Sequence, residues 1–219
     1  MKLFDENKKR TAQKLRQILN SIFLVLSEDY DIKNPIKKVV LPHFEIQKGR
    51  ALSKEEELQM IKGCMSNNML GNSAALLLLY TGMRVGELRT IKVYDDYLTC
   101  ISEKTRRGYA EEVRKIPFSP MLKRVIGMID FEKAKNASNS VVRDALKKVF
   151  ADHHVHEFRY TFITRAKECG INHEVIMLWT GHKSDSDVRT SKVDRGYTTY
   201  SDEYMNSEML KYNYELKAN

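Results

Sequence analysis

The chain has 219 residues, with 37 Lys and Arg against 29 Asp and Glu, a formal charge of +8. A hydrophobic content of 42% beside 30% charged residues supports a folded core and excludes a disordered or low-complexity chain. No apolar run is long enough to cross a bilayer and no secretory leader opens the sequence, so an intracellular protein is expected, and the basic balance favours a polyanionic partner without naming it.

Along the chain, Leu15, Ile18, Leu19, Ile22, Phe23 and Leu26 recur at helical spacing within Lys8 to Ser27, opposite Lys and Arg. Asn34-Pro35 breaks this amphipathic helix, and the stretch through Pro42 to Gly49 reads as an extended linker ending near Arg50. Ser53 and Glu56 form a capping-box pattern opening a helix to about Cys64. The next helix, Ala74 to Tyr80, is apolar on every side and belongs at the centre of a core. Thr81-Gly82-Met83-Arg84 follows it, and a second helical start runs from Val85 to Leu88. Between Ile91 and Phe118 short strands carrying Ile91, Val93, Leu98, Ile101 and Ile116 predict a three-stranded sheet, with a polar turn at Arg106-Arg107-Gly108. Helices are expected at Met121 to Ile129, Val141 to Phe150, Glu157 to Glu168 and Glu174 to Trp179. Met205, Met209, Tyr212 and Leu216 place a short amphipathic segment at the end. Cys64, Cys100 and Cys169 are odd in number and lack zinc-site spacing, which reads as reduced and mostly buried thiols.

Four stretches carry groups suited to phosphodiester chemistry. They are Arg84 in TGMRVGEL, His156 and Arg159 in HEFRYTFIT, His182 in TGHKSD, and the tyrosines of RGYTTYSDEY. Two arginines can hold the non-bridging oxygens of one phosphate in forked hydrogen bonds, and histidines transfer protons near neutrality. The three-residue spacing of His156 and Arg159 places both on one helix face. A tyrosine can attack phosphorus, although a free phenol titrates near pH 10 and requires cationic surroundings.

The order Arg, Lys, His-x-x-Arg, Gly-His, Tyr resembles the catalytic signature of the tyrosine recombinases, the phage integrase family. That resemblance implies an α+β, mainly helical fold: a tyrosine-recombinase-like catalytic domain with a small three-stranded antiparallel sheet. It covers about Arg50 to Met205. Residues 1–49 then correspond to the terminal helix of a core-binding domain plus linker, 50–205 to the catalytic domain, and 206–219 to a C-terminal tail that relatives exchange between protomers.

The implied catalytic residues are Arg84, Lys104, His156, Arg159, His182 and Tyr197, with Tyr200 as the alternative nucleophile. Glu87 would orient Arg84, Lys104 would act as general acid toward the leaving 5′-oxygen, and Arg106 or Arg107 would touch the DNA backbone. Thr180 stands where the family usually has Leu, and Ser191 occupies the place where many relatives carry the tyrosine, so the tail is assigned from Tyr197-Thr198-Thr199-Tyr200-Ser201-Asp202-Glu203. Asp152, His153 and His154 could suggest a metal site, but the family uses no metal and no cofactor. The implied activity is site-specific recombination through a 3′-phosphotyrosine, integrating or excising a mobile element. Its partners would be double-stranded DNA at an attachment site, three further copies of the chain in a homotetramer, and an accessory DNA-bending protein, in the cytoplasm of a bacterial host. A type IB topoisomerase-like enzyme and a catalytically decayed DNA-binding protein are the alternatives.

Overall fold

The computed structural model describes residues 8–30, 32–45, 49–102, 112–181 and 200–216. Two compact units divide the chain, Met1–Lys48 and Gly49–Asn219. In the first, α1 spans Lys9–Asp29 and buries none of its residues, leaving Leu15, Ile18, Ile22 and Val25 exposed. The segment expected to be extended after it contains a 3₁₀ turn, Pro35–Lys38. Pro at its first position supplies the helical φ, and the Asn34 side chain accepts from the Ile36 amide at 2.9 Å.

The second unit is organised around one helix. The elements before and around it are α2 (Lys54–Ser66), α3 (Asn72–Thr81), a 3₁₀ turn Val85–Thr90, and strands β1 (Lys92–Val93), β2 (Tyr97–Ile101) and β3 (Val113–Pro117). Then come α4 (Pro120–Val125), α5 (Phe131–Asn136), α6 (Asn139–Val149), α7 (His156–Glu168), α8 (His173–Thr180) and α9 (Asp202–Leu210). Every residue of α3 from Ser73 to Thr81 is buried, because α2, α4, α5, α6 and α7 all pack on it. This is the all-round apolar helix of the sequence, and its environment is what such a pattern demands. Both halves of the predicted capping box on α2 form: Ser53 Oγ accepts from Glu56 N at 3.2 Å, and Glu56 returns a contact to Ser53 N at 2.8 Å.

The three strands form one antiparallel sheet in the order β1-β2-β3. Leu98 pairs with Ile116 and Cys100 with Arg114, and all four are buried, as alternation along a strand requires when one face meets a core. The expected turn at Arg106-Arg107-Gly108 lies outside the described residues. The helix expected over Met121 to Ile129 is shorter, with α4 tightening into a 3₁₀ turn at Ile126–Met128, and a separate six-residue helix, α5, follows it.

The final segment is seated on this chain's own core. The boundary expected between residues 205 and 206 falls inside α9, which ends at Leu210 with Lys211 as its C-cap. Met209 and Tyr212 are buried, the Tyr212 ring lies 5.0 Å from that of Phe162 on α7, and the Tyr214 hydroxyl donates to Glu57 on α2 at 2.7 Å.

Gly82 closes α3 in the left-handed region at φ 65°, donating its amide to Leu78 O at 3.0 Å. A Cβ at this position would run into the Phe162 ring. Gly82→Ala therefore incurs a backbone penalty of about 1–3 kcal/mol together with a steric one. Urea unfolding should show that loss, whereas Gly127→Ala, where a Cβ meets nothing within 4 Å, should be neutral or stabilising by up to about 1 kcal/mol.

Candidate functional site: an arginine cluster at a helix C-terminus

Three guanidiniums meet in the second unit, each delivered by a different element. Arg84 enters the turn Val85–Thr90 directly after the Gly82 cap; its amide donates to Glu87 Oε2 at 2.8 Å and its Nη1 to Glu87 Oε1 at 2.9 Å. Arg159, from the first turn of α7, donates Nη1 to Gly82 O at 2.6 Å and Nη2 to Thr180 O. Arg114, from the inward face of β3, donates Nη2 to Glu87 Oε2 and Nη1 to Trp179 O at 2.8 Å. Arg84 Nη2 completes the set on Gly181 O at 3.2 Å.

Consecutive carbonyls of Trp179, Thr180 and Gly181 thus accept one arginine each. They are the C-terminal carbonyls of α8, which lack partners within the helix and carry the negative end of its dipole. Gly181 ends α8 at φ 59°, and a Cβ there would stand 2.6 Å from Arg114 Nη1. Glycine here serves both the left-handed cap and the close approach of the guanidinium.

Three cations around one carboxylate leave two positive charges in excess. Glu87 is 1% exposed, and burial by itself would raise its pKa; the Arg114 charge, the Arg84 amide and the Arg84 guanidinium outweigh this and hold the carboxyl below its ordinary range. Arg159 is 1% exposed, and burial, followed by repulsion from Arg84, brings its pKa down to about 9. A buried base depressed in this way gains from an adjacent anion.

The surplus charge faces a cavity of about 660 Å³ lined by Arg84, Arg159 and His156 among others. His156 begins α7, is exposed, and sets its ring edge-on to Tyr160 with centroids 5.1 Å apart. Arg84, Glu87, His156 and Arg159 are therefore brought to one place. Lys104, Arg106, Arg107, His182 and Tyr197 lie outside the described residues. Tyr200 is described, and it is not at the cluster. Its hydroxyl donates to Glu174 in the first turn of α8, its ring stacks on Tyr204 at 5.2 Å, and the Glu174 hydrogen bond, burial and the Glu174 charge push its pKa up to about 12. Five to seven residues of α8, rising about 1.5 Å each, separate Glu174 from the carbonyls of Trp179, Thr180 and Gly181 that hold the arginines.

Arg114 is the functional candidate that sequence reasoning passed over. It is 5% exposed and sits two residues before Ile116, so strand alternation turns it inward. A charge on the buried face of a strand needs an opposite charge, and that requirement was the available signal. His153 is buried between Glu157 Oε2 at 2.6 Å and Glu56 Oε1 at 3.2 Å, with Arg50 Nη2 3.3 Å away. It ties the entrance of the second unit to the start of α7.

No protein-family model matches this chain, and the search of curated proteins finds no match. Solved structures do match in fold. Lambda integrase bound to DNA superposes with a TM-score of 0.65 at 21% identity, covering 89% of this chain and 78% of that one. A lambda integrase tetramer bound to a Holliday junction gives 0.64 at 22% identity, covering 87% and 64%. The Tn1549 transposon integrase in complex with circular intermediate DNA gives 0.58 at 20% identity, covering 92% and 78%. The chain has the mainly helical α+β fold of tyrosine-recombinase catalytic domains, with its small three-stranded sheet.

Removing the shared counter-charge exposes the repulsion among the arginines. Glu87→Gln is expected to destabilise the fold by about 3–5 kcal/mol, and Arg114→Leu combined with it should recover part of the loss, since one uncompensated cation is gone. Because the Glu87 pKa is lowered in the folded state, its contribution is complete above the ordinary value of 4.5 and disappears as pH falls through the depressed one. Chemical unfolding of the wild type and Glu87→Gln between neutrality and acid pH measures this; the gap between them should close on acidification.

Proposed function

We propose that the chain is a tyrosine recombinase, a site-specific integrase that cleaves and rejoins DNA through a covalent 3′-phosphotyrosine. The observation that carries this reading is the pair Arg84 and Arg159, held by neighbouring carbonyls at the end of α8 and facing, with His156, a cavity of surplus positive charge. Such a pair matches the two non-bridging oxygens of a phosphodiester, and the fixed dipoles that hold it require no reorganisation as charge develops on phosphorus. The fold shared with integrases captured on DNA supports the same reading.

The Tyr197 oxygen attacks phosphorus in line, forming the tyrosyl-phosphate bond as the bond to the 5′-oxygen breaks. Lys104, or a histidine in its place, protonates that leaving oxygen, and the phenolic proton passes to a neighbouring base. Arg84, Arg159, His156 and His182 hold the five-coordinate phosphorus, with Glu87 and Arg114 fixing the Arg84 plane. The covalent bond conserves the phosphodiester linkage, so a 5′-hydroxyl from a second duplex reverses the step with a new partner. Four copies acting in two rounds would exchange strands, with an accessory bending protein bringing the sites together inside a bacterial cell carrying the mobile element. Arg106 and Arg107 supply backbone contacts beside the cut. Neither metal nor organic cofactor enters the scheme. Tyr197 is preferred to Tyr200 because the latter is engaged at the far end of α8.

The test uses a pool of nicked duplexes with randomised centres, from which a cleaved strand cannot be resealed. A denaturation-resistant adduct on Tyr197 is expected. Tyr197→Phe should abolish it, Tyr200→Phe should retain it, and Arg84→Ala or Arg159→Ala should slow its formation by about 10²–10³-fold or more. Absence of any adduct with DNA that the chain demonstrably binds overturns the enzymatic reading in favour of a decayed DNA-binding protein. Relaxation of supercoiled plasmid without strand exchange replaces recombinase with topoisomerase.

A further inference from the structure

The cavity at Arg84, His156 and Arg159 extends beyond what one phosphate requires. Its volume of about 660 Å³ lies in the range, roughly 300–1,000 Å³, that encloses whole ligands. The same lining includes Arg89 from the turn after Arg84, and Ser138, Asn139 and Arg143 from the start of α6. Among the described residues that line it there are four arginines, two histidines and no aspartate or glutamate.

Glu87 lies behind this wall, engaged by Arg84 and Arg114. Arg143 has its neighbour Asp144 at 3.5 Å, with both side chains more than half exposed. A pair so long and so solvated is worth little, and a phosphate can displace it. The start of α6 contributes in the same direction: its first turn carries no acidic residue, and its positive end reaches the cavity through Ser138 and Asn139.

We infer that Arg89 and Arg143 form a second anion subsite, which holds the DNA backbone phosphate next to the one gripped by Arg84 and Arg159. The inference rests on the proposed DNA-cleaving function and deepens it. Consecutive phosphates on a strand are separated by about 3.4 Å of helical rise, so a backbone seated on the first pair of arginines carries another phosphate close by. A subsite of this kind fixes the direction of the strand through the cavity: one phosphate can pivot about its grip, and two cannot. It sets register and orientation without reading sequence.

The test measures binding of the full chain to a short random-sequence duplex by fluorescence anisotropy over a series of salt concentrations. Loss of one phosphate contact should reduce the slope of log affinity against log salt by about 0.9 in the double variant Arg89→Gln/Arg143→Gln. Arg143→Lys, which keeps the charge, should hold the wild-type slope, as should Lys62→Gln, an exposed charge on α2 outside the cavity lining. Both arginines are exposed, and thermal melts of each variant establish that the fold is retained; should the double variant melt early, Arg143→Gln alone must still weaken binding at low salt. A wild-type slope in the double variant, or unchanged low-salt affinity in Arg143→Gln, overturns the subsite and leaves the proposed function standing. A wild-type chain with no salt-dependent affinity for duplex DNA overturns both.

Discussion

Like charges repel, and this structure packs three buried or half-buried guanidiniums within reach of one carboxylate. What makes the arrangement possible is the C-terminus of α8, where three successive carbonyls, free of helical partners, each take an arginine. Glu87 supplies the remaining compensation, bridging Arg84 and Arg114. The balance is incomplete in the electrostatic sense: two positive charges remain, and burial, followed by repulsion from Arg84, lowers the Arg159 pKa. A site in this condition is preorganised for an anion, because the dipoles are already oriented and the desolvation cost was met during folding.

The rest of the second unit keeps that cluster rigid. The wholly buried α3 ends at a left-handed glycine pressed against Phe162, so the chain turns sharply and presents Arg84 from the centre of the core. Gly82 O is itself a ligand of Arg159, so the same turn that exposes one arginine anchors the other. α7 carries His156 and Arg159 at one end, and further along it Arg165 donates to Glu57 at 2.6 Å, locking the helix to α2 and to the tail through Tyr214. Arg84, Arg114 and Arg159 are each fixed from two sides in this frame.

At the entrance of the second unit a separate polar network acts on α7. Arg50 pairs with Glu56, which also caps α2, and His153 links Glu56 to Glu157 in the first turn of α7. The Arg50 hydrogen bonds and charge hold the Glu56 pKa down to about 2 despite partial burial, so the Glu56 carboxylate stays ionised across the physiological range. The start of the helix that bears His156 and Arg159 is therefore fastened to the point where the chain enters the unit.

Local relationships were readable in the sequence. Arg84 and Glu87 are three residues apart in a turn, His156 and Arg159 are three apart on a helix, and the apolar run of α3 admits only a central position; in each case the deciding distance is a few residues long. The terminal glycines of α3 and α8 were visible for the same reason. Short elements escaped, because six residues of α5 and the 3₁₀ turn at Pro35–Lys38 carry too little periodicity to separate from loop. Arg114 escaped because its partners, Glu87 and Trp179, lie 27 and 65 residues away and no pattern near Arg114 encodes them. The same holds for Tyr200, the alternative nucleophile, whose hydroxyl donates to Glu174, 26 residues upstream. Amino-acid order by itself determined which side chains have the chemistry to grip a phosphate. Only the folded chain decided that a helix C-terminus gathers them, since long-range packing and the partnering of orphan carbonyls are settled by which elements meet in space.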